Sequence, residues 1–138
     1  MKSNIHRAMV NSLGAAARAQ GYQLIVLEYM RADMWGAKLT PNGFHLLAGE
    51  AETSPRNCIA NIMRDLTVCG AHHVAVLAAN MAVREQLVAK INRYLPESLK
   101  THVRVFTQSE LDGELFGQWI KSVEIPGVVR STMPYDRR

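Results

Sequence analysis

Pro41-Asn42-Gly43 lies between two stretches of strand-forming residues, and this tripeptide constrains the fold more than any other feature of the chain. Asn-Gly tolerates the positive φ angles that a two-residue turn demands, so the flanking segments must fold back on each other as a β-hairpin. With Asn42 and Gly43 as the loop, Pro41 faces Phe44 and Asp33 faces Glu52. Side chains alternate between faces along a strand, so Glu50 shares the face of Glu52, and the opposed Asp33 lies on it too. Three carboxylates then meet at the open end of one hairpin. Like charges placed this way raise one another's proton affinity unless a cation neutralises them, and an all-oxygen site suits a hard divalent ion such as Mg2+ or Mn2+. A slip of one residue in the turn would instead put Asp33 opposite Ala51 on the other face, leaving three solvated carboxylates.

The segments around the hairpin alternate in type. Ile5, Met9, Leu13, Ala16 and Ala17 recur at helical spacing and Gly21 follows as a C-cap, which predicts a helix from Asn4 to Gln20. Tyr22 to Tyr29 is rich in β-branched and aromatic residues and reads as a strand buried on both faces. Ser54-Pro55 marks a helix start, with an inner face of Ile59, Ile62, Met63, Leu66 and Cys69 and an outer face that includes Arg56, Asn61, Arg64 and Asp65. His73 to Ala79 reads as a buried strand, Met81 to Leu95 as a helix, and His102 to Phe106 as a strand. Ser109 caps a last helix that runs to about Trp119. Right-handed crossovers make the later strands parallel, so the chain is an α/β fold: a mixed central sheet with an antiparallel hairpin, flanked by helices.

At 138 residues, 48% hydrophobic and 20% charged, the chain fits one globular domain. We assign it to 1–121, with an irregular C-terminal arm over 122–138, where Pro126, Gly127 and Pro134 occur. No apolar run is long enough to span a bilayer, and the N-terminal residues lack a signal core. Cys58 and Cys69 match neither a zinc motif nor a redox pair and read as reduced core residues. These features predict a cytoplasmic protein without a membrane partner. The net charge of +4 is compatible with an anionic partner such as nucleic acid. The five histidines show no ligand spacing, and the chain has neither a glycine-rich phosphate loop nor a Gly-x-Ser-x-Gly elbow.

This order of a helix, a strand, a hairpin carrying Asp33 and then Glu50-Ala51-Glu52, a helix, and an alternating strand-helix-strand resembles the restriction endonuclease-like, or PD-(D/E)XK, nuclease superfamily over roughly Ile5 to Leu115. The resemblance implies a Mg2+- or Mn2+-dependent DNA endonuclease. In it Asp33 and Glu50 are the catalytic acids and metal ligands, with Glu52 standing where the family usually has Lys. Ala32 replaces the customary Pro. The amides of the helix beginning at Ser54, with Arg56 and Asn57, would contact a phosphate. Many nucleases of this size cut as symmetric dimers, so the resemblance also allows protein partners or a homodimer. The alternative is a nuclease-like fold without catalysis, serving as a protein- or DNA-binding subunit of a larger assembly.

Overall fold

The computed structural model describes residues 3–28, 31–41 and 43–123. Ser3 caps the first helix by accepting the His6 amide at 3.0 Å, and α1 (Asn4–Ala19) buries Met9, Val10, Leu13 and Ala17 along one stripe. Gly21, at φ +93°, turns the chain towards β1 (Leu24–Leu27). The hairpin strands follow as β2 (Met34–Thr40) and β3 (Gly43–Glu52). Beyond them come α2 (Cys58–Met63), a π-helical turn over Arg64–Val68, β4 (His73–Ala78) and α3 (Met81–Tyr94). A short α4 (Glu97–Lys100), β5 (Val103–Phe106) and α5 (Gln108–Asp112) follow, and a helical run over 114–123 forms α6.

The five strands lie in chain order, β1-β2-β3 antiparallel and β3-β4-β5 parallel, which is the mixed α/β sheet expected from the sequence. Helix α1 packs on β1, β2 and β3, and with α5 and α6 it encloses a core of Leu13, Met34, Leu47, Leu77, Phe106 and Trp119. Helices α2 and α3 cover the other face, over Ala48, Val74, Val76 and Val105. Gly49 allows α1 this close, because a Cβ there would stand 3.0 Å from Met34 and 3.3 Å from Leu13. Among the described residues no helix is long and apolar enough to cross a membrane.

Four expectations need correction. Strand β1, expected to be buried on both faces, is an edge strand that leaves Leu24 62% and Leu27 39% exposed. The hairpin pairs Thr40 with Gly43 and Met34 with Gly49, a register two residues from the expected one. A two-residue shift preserves strand parity, so Glu50 and Glu52 still share a face, and Asp33, just before β2, stands level with Glu50 instead of Glu52. The helix expected from Ser54 starts at Cys58, because Asn57 takes a left-handed φ of 64° and Ser54 Oγ accepts the Arg56 amide at 3.4 Å in a local turn. Asn57 therefore ends a turn and gives no side-chain cap. The cap of α5 is Thr107, reciprocated by Glu110 in a capping box, and the helix breaks at Gly113. Helix α6 runs to residue 123, past the expected boundary at 121; Asn42 and the rest of the proposed arm lie outside the described residues.

Candidate functional site

The end of β3 carries Glu50 and Glu52 on the α2/α3 face, where parallel pairing aligns them with Val76 and Ala78 of β4. Both are buried, as is Asp33 just before β2. Asp33 sits where the two sheet faces meet: its Oδ2 accepts the Ala51 amide at 2.8 Å and lies 3.4 Å from His6 Nε2 on α1. Glu28 closes β1 in a left-handed turn at φ 53°, a conformation that costs a non-glycine residue about 1 kcal/mol, and its amide donates to the Asp33 carbonyl at 2.7 Å. That turn gathers a second group. Ligand atoms of His6, Glu28 and Asp33 all lie within 4.8 Å of one another, close enough to hold one metal ion.

Glu50 has a different neighbour. Its carboxyl, 3% exposed, lies beside that of Asp65, which is fully buried. Glu50 Oε2 and both Asp65 oxygens have no hydrogen-bond partner among the described residues, and two carboxyl groups can bond to each other only through a proton held between them. Burial first, then the Asp65 carboxyl, then the charges of Asp33 and Glu52 push the Glu50 carboxyl far above its ordinary range. Burial likewise raises Asp65, against the opposing pull of Glu50 and Arg64. The cation of this cluster is Arg64, whose Nη2 stands 3.9 Å from Glu50 and 3.7 Å from Asp65 while donating to the Arg31 carbonyl at 3.0 Å.

The sequence assigns Asp65 to the solvated side of its helix, and the structure corrects this. The buried stripe runs Cys58, Ile62, Asp65, an ordinary i, i+4, i+7 helical face, and leaves Ile59, Leu66 and Cys69 half-buried beside it. A hint lay in the spacing, since Asp65 is three residues beyond the buried Ile62. Glu52 accepts from Asn61 Nδ2 at 3.5 Å. Beside it, burial and the Glu52 and Glu50 charges push the Cys58 thiol up to about 12. Arg56 and Asn57 are exposed in the turn before α2. Lys38 lies on the α1 side of the sheet, over the Tyr22 ring at 5.3 Å.

Four of the five histidines, His45, His72, His73 and His102, converge at the opposite end of the sheet. Tyr22 Oη is 2.6 Å from His45 Nδ1, and His45 Nε2 is 2.8 Å from His73 Nδ1. His72 stacks on His45, and His73 sits 5.1 Å from His102, ring to ring. Burial, then the surrounding imidazoles, holds His73 down at about 3. Parallel pairing of β3 with β4 creates this cluster, so spacing along the chain could not reveal it.

No protein-family model matches the chain, and neither a curated protein nor a solved structure gives a match.

Proposed function

We propose that the chain is a metal-dependent nuclease, or a nuclease-derived DNA-processing protein, that hydrolyses phosphodiesters with Mg2+ or Mn2+ at Asp33, Glu50 and Glu52. One observation carries this reading: acids from three separate segments, Asp33, Glu50 and Asp65, are buried together at one end of the sheet, with Arg64 beside Glu50 and Asp65. Buried carboxylates are retained when paired or when they coordinate a cation. The donor set fits a hard ion, because Glu50 Oε2 has no hydrogen-bond partner and the Glu28 and His6 ligand atoms stand beside Asp33. When bound, such an ion polarises a phosphoryl oxygen and lowers the pKa of a coordinated water. Within the chain, Glu52, steadied by Asn61, accepts the proton of the attacking water, and Arg56 and Asn57 meet the DNA backbone. The order of elements is that of the resemblance drawn from the sequence.

Cleavage of plasmid and branched DNA in Mg2+ or Mn2+ tests the proposal, together with calorimetric titration of Mn2+. Asp33→Ala and Glu50→Ala are expected to lower the cleavage rate by roughly 10²-fold or more. A wild-type protein that takes up no Mn2+ and cuts neither substrate would refute it. A second reading rests on the proton held between Glu50 and Asp65, which opposes metal entry: a nuclease-like fold without catalysis, serving as a protein- or DNA-binding subunit. It predicts partner binding unchanged in the same two variants.

A further inference from the structure

Helices α2 and α3 pack on β3, β4 and β5, and among the described residues no helix covers the same sheet face over Leu24 of β1 and Leu39 of β2, which are exposed. Strand pairing sets Leu24 beside Ala37, Val26 beside Trp35, and Leu39 beside Phe44 on that open face. All six are apolar. Leu24, Leu39 and Phe44 are 62%, 61% and 65% exposed, and the other three are half-buried. Lys38, the charged residue of β2, points to the opposite face. A continuous strip of this kind on a soluble surface marks an interaction site, and its lack of cations excludes the DNA backbone as the occupant.

We propose that this strip is the interface between two copies of the chain, packed sheet face to sheet face across a two-fold axis. An isologous contact requires a surface that complements itself, and an unbroken apolar strip does so in either direction without burying a charge. The exposures amount to roughly 500 Å2 per copy, so a pair removes about 1,000 Å2, which reaches the lower bound for specific association. Two sheets packed in this manner lie about 10 Å apart, enough for Leu39 and Phe44 to interdigitate with their counterparts. An interface of that size gives a dimer in exchange with monomer.

Sedimentation equilibrium of the full chain from about 1 to about 200 μM decides the matter. The expected result is a monomer–dimer equilibrium with a micromolar dissociation constant. Leu39→Glu with Phe44→Glu should weaken it at least tenfold, whereas Val68→Glu, an exposed position outside the strip, should leave it unchanged. Circular dichroism checks that the double variant is folded, and Leu39→Ser with Phe44→Ser replaces it if the charges disturb the hairpin. A protein that stays monomeric at about 200 μM, or a dimer that survives both double variants, overturns the proposal.

Discussion

Replacing Glu50 with glutamine should make the metal-free protein more stable in mild alkali. Burial first, then the Asp65 carboxyl, pushes Glu50 up to about 11, against 4.5 for the ordinary group. Between those values the native state holds a proton that the unfolded chain has released. Stability is therefore full below pH 4.5 and falls as pH rises, by about 1.4 kcal/mol per unit for the one proton the pair shares. Other shifted groups act elsewhere: His72 and His73, both lowered, contribute below their ordinary 6.5, and Cys58 contributes above its ordinary 9.0. The interval from about pH 7 to about pH 9 thus isolates the carboxyl pair and should show a loss of about 3 kcal/mol. For a chain of this length that lowers the melting temperature by roughly 10 °C. Thermal melts followed by circular dichroism, with a chelator present, measure it. Glu50→Gln keeps the side-chain shape, cannot titrate, and should flatten the decline. A wild-type melting temperature that is level or rising across the interval, or a Glu50→Gln protein that declines equally, would refute the reasoning.

In the Glu50→Gln background, lowering the pH from 6.5 to about 5 should cost at least about 1.4 kcal/mol per unit, because neutral buried His73 binds fewer protons than in the unfolded chain. Adding His73→Phe should remove that part of the slope. Gly49→Ala should destabilise by about 1–3 kcal/mol in chemical denaturation, since the new methyl group meets Met34 at 3.0 Å and Leu13 at 3.3 Å. The Cys58 thiol, buried and pushed up to about 12, should react with a disulfide reagent only at the rate of global unfolding; rapid labelling of the native protein would contradict its placement.

The elements that were legible in the sequence are those with long apolar periodicity or a strong turn. Helix α1, the hairpin, β4 and α3 follow from Leu13 and Ala17, from Asn42-Gly43, from the run after His73, and from Leu87 and Ile91. The hairpin register was misplaced by two residues, yet the shared face of Glu50 and Glu52 survived because strand parity repeats every two. Asp65 was misread although its spacing from Cys58 and Ile62 is that of one helical face, because its charge and the apolar Ile59, Leu66 and Cys69 pointed to a neighbouring face. Glu28 was hidden for a different reason: a left-handed backbone at a residue other than glycine has no sequence signature here. The pairing of His45 with His73 depends on parallel register between β3 and β4, which no local turn specifies.

The winding of the segment after α2 makes the acid centre more sensitive to chain length than to composition. Asp65 reaches Glu50 because it stands three residues beyond Ile62 and seven beyond Cys58, on the buried stripe of its helix. Deleting Met63 would retain every charged side chain of the centre. It would also move Asp65 one position back and rotate it about 100° round the axis relative to the residues before the gap. Single-residue deletions on this helix are thus the changes that would dismantle the centre with its chemistry still fully encoded.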